Sequence, residues 1–386
     1  MSIPQSLSSW DVPPPQAEAV IDLDAYRDNL ATLAACAPNS ALMAVVKADA
    51  YGHGMQQCAK AAREAGATWL GVATIAEALA LRAAGDTGNL LCWLASPGVD
   101  FAAAIDAEIE VTASSVEQLA EILATSAPTA MRPKVQLKVD TGLSRNGAFG
   151  EQWTELVAAA AAAQAADTAE FTGVWSHFAC ADQPDHPAND EQEQAFRDAV
   201  DELGAAGVVP PLRHLSNSAA TMTRPSAHLD LVRVGIASYG INPDRALEHG
   251  IDLKPVMTLQ GRLAAVKRVP AGTSVSYGHT WSTDRETTLG LVPMGYGEGI
   301  LRNASNRAEA AFDGERVPVV GTICMDQFVI NLGDLPAERG DLVTVFGPGT
   351  AGEPTADDWA IAAGTIAYEV VTRLGGRIER TYLGET

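Results

Sequence analysis

Ala41-Leu42-Met43-Ala44-Val45-Val46-Lys47-Ala48-Asp49-Ala50-Tyr51-Gly52-His53-Gly54 opens as a short apolar run, β-branched towards its end. Such a run reads as a fully buried strand. A lysine follows with no turn residue between. At the inner end of a buried strand a lysine loses hydration, and desolvation favours its neutral amine, the form that Schiff-base chemistry requires. Gly52 and Gly54 then let the backbone turn sharply beside the polar-tipped Tyr51 and His53. A snorkelling strand-end lysine is the plain alternative, so the rest of the chain has to decide.

Working outward, Val20 to Ala37 has helical spacing (Leu23, Tyr26, Leu30, Leu33) and Pro38 stops it. Short apolar runs then recur at 41–46, 69–73, 90–95, 109–113, 135–139, 171–178, 212–216 and 231–239. Alanine-rich amphipathic stretches separate most of them, two starting at the capping boxes Thr74-Ile-Ala-Glu77 and Ser115-Val-Glu-Gln118. Eight strands alternating with helices predict an α/β fold, an N-terminal (β/α)8 TIM-like barrel, with a doubly wound open sheet as the alternative. Polar residues break the tie. Lys47, Asp140, His177, Ser216 to Ser218 and Arg233 to Gly235 all fall at or just after strand ends, which converge on one face of a barrel. From about residue 245 the texture shifts to short Val-, Thr- and Leu-rich runs punctuated by turns, including the hairpin signal Ala311-Phe312-Asp313-Gly314-Glu315-Arg316-Val317. The expected organisation is a barrel domain over 1–250, its first ~18 residues a leader, and a mainly-β C-terminal domain over 251–386. One late helix is expected from the box at Thr355–Asp358 to Gly375-Gly376.

A length of 386 residues suits two domains, and 47% hydrophobic residues can fill their cores. A formal charge of −22 argues against nucleic acid and anionic membrane surfaces as partners. A local arginine cluster can still hold a small anion. Cys36, Cys58, Cys92, Cys180 and Cys324 lie far apart and fit neither a zinc pattern nor a disulfide framework, so reduced thiols, a cytoplasmic location and no metal are expected. Residues 1–16 lack the regions of a signal peptide, and no apolar run approaches the ~18 residues of a membrane helix.

Several motifs have plainer readings beside sharper ones. Gly347-Pro-Gly349-Thr-Ala-Gly352 matches a dinucleotide fingerprint literally, but Pro354 follows it and no helix opens there, so it reads as a loop. His177-Phe-Ala-Cys180-Ala-Asp182-Gln-Pro-Asp185-His186 matches no common zinc spacing. His214-Leu-Ser216-Asn217-Ser218 and Arg233-Val-Gly235-Ile236 fall at the seventh and eighth strands, whose loops form the usual phosphate site of a barrel. A serine hydroxyl, backbone N–H groups and a glycine suit a dianion there. Arg233 could instead pair with Asp230. In the second domain, Val275-Ser276-Tyr277-Gly278-His279 reads as a strand and Cys324-Met325-Asp326 as a hairpin edge.

Over nearly the whole chain these segments, in this order, resemble the bacterial alanine racemases, enzymes dependent on pyridoxal 5'-phosphate (PLP). The resemblance implies that Lys47 carries the cofactor and is one catalytic acid/base. Tyr277, supplied by the partner subunit of a homodimer with shared active sites, is then the other. It implies cofactor contacts from Tyr51, His177, Asn217, Ser218, Arg233, Gly235, Ile236 and Tyr368, with Arg233 facing the pyridine nitrogen. Arg145, Met325 and Asp326 would border the substrate carboxylate, and Lys138 matches a lysine that some members carry as a carbamate. Gly295-Tyr296-Gly-Glu-Gly299 departs from the family's usual Gly-Tyr-Ala-Asp-Gly by a longer acid. A phenol near pKa ~10 is a poor base at neutral pH, so His177 or Arg145 is expected to favour its ionised form. The implied activity is interconversion of L- and D-alanine, supplying D-alanine for peptidoglycan. Other readings are a racemase for another small amino acid such as serine, a barrel-fold PLP decarboxylase, disfavoured by Arg233, and a non-enzymatic PLP carrier.

Overall fold

The computed structural model describes residues 15–126 and 131–385. The first strand, β1 (Ala17–Asp22), alternates buried and half-buried residues and is followed by a helix over Leu23–Cys36. Next come β2 (Ala41–Val45), β3 (Trp69–Val72), β4 (Asn89–Cys92), β5 (Glu110–Ala113), β6 (Lys134–Lys138), β7 (Glu170–Trp175), β8 (Leu212–His214) and β9 (Leu231–Val234). The later strands are β10 (Met257–Arg262), β11 (Ala265–Val269), β12 (Thr287–Val292), β13 (Glu309–Phe312), β14 (Glu315–Val320), β15 (Phe328–Gly333), β16 (Leu342–Phe346) and β17 (Glu379–Leu383). Two compact units result: Asp22–Val256 with the segment from Leu383, and Met257–Tyr382 with the N-terminal residues through Ile21.

In the first unit the strands lie in the order β8-β7-β6-β5-β4-β3-β2-β9, neighbours pairing in parallel. The two ends meet: the N–H of Asp230 donates to Arg213 O and that of Arg233 to Ser216 O, both at 3.1 Å. All eight expected strands form, and the nearly closed ring, running in sequence order without reversal, decides for the barrel over the open sheet. Met43, Val45, Trp69, Leu91 and Leu231 pack as one apolar cluster in this unit.

The leader and first-helix expectations need correction. Residues 1–14 lie outside the described residues, but Ala17–Ile21 pair antiparallel with β10, so Val20 is a strand residue. The helix begins only at Leu23, because the Asp22 carboxylate accepts from the N–H groups of Asp24 and Ala25 at 3.0 and 2.9 Å. Helical spacing alone could not see that cap.

The second unit is a nine-stranded sheet ordered β11-β12-β15-β14-β13-β16-β10-β1-β17. Its tight turn at Asp313-Gly314 has positive φ at both residues, 49° and 78°, as a two-residue hairpin demands. The single late helix is corrected to two, Ala356–Ala363 and Ala367–Thr372, because Gly364 turns left-handed (φ 73°) and ends the first. The Gly347–Gly352 stretch is a loop, its N–H groups at Gly349 and Ala351 taken by the Glu353 carboxylate. No helix among the described residues is long and apolar enough to cross a membrane.

Candidate active site

Lys47 follows β2 by one residue, half-buried, with its Nζ 5.8 Å from the Trp93 ring centre and 5.9 Å from that of Tyr51. Burial and the neighbouring Arg145 and Arg233 charges lower its pKa, with only Glu77 opposing. The backbone beyond it is unusual. Ala48, Asp49, Ala50 and Tyr51 all lie at φ 53–54°, a left-handed helical turn that continues into Gly52 at φ 84°. Each such non-glycine residue costs about 1–2 kcal/mol, so the turn needs outside support. Glu77, expected only as a capping-box residue, provides it: its carboxylate caps its own helix and also accepts from the Ala48 N–H at 2.7 Å. The Asp49 carboxylate accepts from the Met55 N–H at 2.8 Å. The sequence signalled a turn only at the glycines; nothing in Ala-Asp-Ala announces φ above zero.

Arg233 lies buried on β9. Its alternative partner, Asp230, is engaged by Arg213 at 2.7 Å. Arg233 instead donates to neutral acceptors: Ser176 O at 2.8 Å, Leu215 O at 3.1 Å, and the Nδ1 atoms of His214 and His177, both at 3.1 Å. Among the described residues no carboxylate pairs with it, and burial pushes its pKa down to about 9. Because an arginine only donates, His177 must accept at Nδ1. Burial and the Arg233 and Arg145 charges hold His177 well below the usual imidazole range. Of the two ways in which His177 could favour an ionised phenol, charge or hydrogen bond, these surroundings favour the hydrogen bond.

Lys138 ends β6 with Nζ 4.2 Å from the Trp175 ring centre. Burial, Arg233 and Arg145 push its pKa down to about 7. An unfolded lysine titrates near ~10.4, so between about pH 7 and 10 the unfolded chain holds the extra proton and stability climbs with pH. Below that window the fold carries a buried cation. Lys138→Met is accordingly expected to raise the melting temperature of the cofactor-free protein by roughly 5 °C at pH 6 in CO2-depleted buffer. The gain should fade by pH 10; a pH-independent difference would dismiss the buried-cation account.

After the last two strands, Ser218 Oγ accepts from the N–H groups of Gly235 at 2.9 Å and Ala237 at 3.4 Å. Asn217 caps the short helix Ser218–Thr223 through Ala220 N–H at 3.0 Å, and Ile236 is buried next to Gly235. A Cβ at Gly235 would stand 2.5 Å from Tyr51 Oη. Burial pushes the Tyr51 phenol up, keeping it a donor. Hydroxyls and N–H groups gathered where the glycine has no side chain fit a phosphate, and the Lys47 amine and donor-only arginine fit an aldehyde-bearing pyridine. In a chain of charge −22, Lys47, Lys138, Arg145 and Arg233 lower one another's or His177's pKa, one electropositive field suited to an anion.

Tyr277, Met325, Asp326 and Tyr368 belong to the other unit. Tyr277 is not on a strand, as expected, but in a 3-10 turn over Tyr277–His279, with Ser276 at φ 62° and Gly278 at 76°. Ser276 Oγ donates to Thr322 O at 2.6 Å and Thr322 Oγ1 to Tyr277 O at 2.8 Å, clamping the turn on the β14–β15 loop. That loop carries Cys324-Met325-Asp326 and is knitted to the β12–β13 loop by N–H bonds from Tyr296 to Cys324 O (3.0 Å) and Gly297 to Met325 O (2.8 Å). Tyr277 is 74% and Met325 54% exposed. The long acid of the departing motif, Glu298, is buried: it accepts from Gly295 N–H at 2.8 Å and pairs with Arg377, which also pairs with Asp326. Tyr368 lies half-buried on the Ala367–Thr372 helix.

The barrel's strand ends thus gather a lysine amine of lowered pKa, an arginine with no carboxylate partner among the described residues and a group of hydroxyl and N–H donors, and a β-sheet unit follows in the same chain. Family models described as alanine racemase, N-terminal domain, and alanine racemase, C-terminal domain, match residues 21–243 and 256–382. An alanine racemase of Frankia casuarinae is 53% identical over 367 residues, 95% of this chain and 96% of that one. The crystal structure of alanine racemase from a D-cycloserine-producing Streptomyces lavendulae superposes with a TM-score of 0.94 at 52% identity, covering 96% and 98% of the two chains. One from Bacillus anthracis, with bound L-Ala-P, gives 0.89 at 33% identity, covering 96% and 95%. The chain belongs to the alanine racemase family, whose members depend on PLP.

Proposed function

We propose that this protein racemises alanine, with PLP held on Lys47 and Tyr277 of the partner subunit completing each site of a homodimer. The observation that carries the reading is Arg233, buried, donor-only and with no carboxylate partner among the described residues, in the same unit as a lysine whose pKa burial lowers. When bound, PLP supplies a ring, conjugated to the amino acid's Cα, that accepts charge and loosens the Cα proton. Arg233 would donate towards the ring nitrogen and, having no acceptor for a ring N–H, would leave that nitrogen unprotonated, which would limit how far charge drains from Cα and keep side reactions down. Tyr51, Ser218, Asn217 and the Gly235–Ile236 backbone would hold the phosphate, with Tyr368 alongside.

Lys47 Nζ then takes or returns the proton on the D face and the Tyr277 hydroxyl on the L face. One base could not reach both. Arg145, Met325 and Asp326 orient the substrate carboxylate, and the His177 N–H and Arg145 charge favour the ionised phenol. Exposure of Tyr277 and Met325 in a single chain supports their delivery to a partner. A Lys138 amine neutral above about pH 7 supports carbamylation by CO2, a negative group beside Arg145; a 13C-bicarbonate-derived resonance absent from Lys138→Met would mark it. Five free cysteines suit a cytoplasmic setting, and the D-alanine would feed peptidoglycan as the family resemblance implies.

The test is PLP-loaded protein with L-alanine in D2O. Loss of optical activity with Cα deuteration, and no CO2 or pyruvate, is the expected result. Absence of Cα exchange with alanine, but exchange with serine, would replace the substrate; no exchange with any amino acid would reject the enzyme reading.

A further inference from the structure

The barrel interior beneath Arg233 is not wholly apolar. A file of buried polar side chains crosses it from Glu110, first residue of β5, through Gln136 on β6 to His214 at the end of β8, with Thr172 of β7 beside it. Gly173 makes the room: a Cβ there would stand 2.8 Å from Gln136 Cδ and 2.9 Å from its Oε1.

The file has one direction. Arg233 can only donate, so His214 Nδ1, 3.1 Å from Nη1, must accept. The neutral ring then carries its hydrogen on Nε2, which donates to Gln136 Oε1 at 2.7 Å. With its oxygen committed, Gln136 turns its NH2 to Glu110 Oε2 at 2.8 Å, and Thr172 Oγ1 donates to that same oxygen at 2.5 Å. Turning the Gln136 amide sets its NH2 against the His214 N–H and its oxygen against the Glu110 carboxylate. The ring plane is also fixed, since His214 lies within 7° of parallel to Trp175 at 5.6 Å between centres. Burial and Arg233 hold His214 well below the usual imidazole range, in keeping with a free Nδ1 lone pair.

We propose that Glu110 and Gln136 are positioning residues for the racemase site: they lock His214 as its Nε2–H tautomer, so that Nδ1 receives Arg233 and aims the guanidinium. The inference rests on the proposed function only for what Arg233 meets; the tautomer stands or falls without it.

The experiment is long-range 1H–15N spectroscopy of holoenzyme labelled with 15N-histidine, the His214 ring assigned by its loss in His214→Asn. The wild type should show Nε2–H alone. So should Glu110→Gln, whose amide oxygen can still accept from Gln136 and Thr172. Gln136→Met keeps the volume but bonds to neither neighbour, and Glu110→Leu leaves the Gln136 amide free to turn. Both should show a second tautomer and a rise of about tenfold in the PLP dissociation constant. A wild-type His214 protonated at Nδ1 would overturn the proposal. So would a folded Gln136→Met with wild-type tautomer and PLP affinity. Should Gln136→Met fail to fold, Gly173→Ala, whose methyl displaces the Gln136 amide, decides by the same two readouts. Neither readout needs alanine turnover, so failure here is distinct from failure of the racemase reading.

Discussion

Lys47→Ala is expected to lower racemisation by on the order of 10⁴-fold or more, because on the proposed reading it removes both the amine that holds the cofactor and the proton carrier of one face. The cradle around Ser218 and Gly235 and the buried Arg233 would remain, so PLP should still bind, though without a covalent link. Burial and the Arg145 charge already pull the Lys47 amine towards its neutral, nucleophilic form. Borohydride reduction followed by peptide mass spectrometry reads the difference directly. Wild-type protein should carry the reduced cofactor on the Lys47 peptide and the variant on no peptide. A variant that still traps PLP covalently would end the assignment of Lys47.

Tyr277→Phe should be asymmetric. Loss of one positioned acid/base typically costs about 10²–10⁴-fold, and net racemisation should fall by that amount in both directions. Exchange of the Cα proton should not. D-alanine in D2O should still pick up deuterium through Lys47, whereas L-alanine should hardly exchange. Equal loss of exchange from both enantiomers would contradict a face-specific role. The same variant tests the shared site. A mixed dimer of Lys47→Ala and Tyr277→Phe chains has one intact site if each site draws on both chains and none if each draws on one. Random mixing should therefore recover about a quarter of wild-type activity in a two-fold symmetric dimer. No recovery would place lysine and tyrosine of one site in one chain.

Strand-end chemistry was legible because a barrel turns sequence position into spatial convergence. Eight short apolar runs, five of them with polar residues at or just after their ends, need no knowledge of side-chain direction to predict a common face. What stayed hidden required knowing which strands are neighbours. Gln136 looks like an ordinary polar residue in Val-Gln-Leu-Lys-Val until Gly173 on β7 opens a space beside it. Glu77 satisfies a capping box by itself, so its second bond, to Ala48, leaves no trace in the sequence. The left-handed turn after Lys47 defeats propensity altogether, since it is held by the distant Glu77 carboxylate and by the Met55 N–H on Asp49 rather than by the preference of alanine or aspartate. Helical spacing misled at Val20 for the opposite reason: a strand and the helix after it share apolar residues whose joint period looks continuous across Asp22.

That strand also bears on how a ribosome must deliver this fold. β1 takes its place in a sheet through Ala19 opposite Leu259, so it leaves the exit tunnel roughly 240 residues before its partner exists. At about 5–20 residues per second, the wait lasts on the order of tens of seconds. The intervening Asp22–Val256 can complete its ring in that interval, while β1 trails as an unpaired edge. Six residues long and bearing Glu18 and Asp22, the strand is short and charged enough to resist sticking to its copies on neighbouring nascent chains.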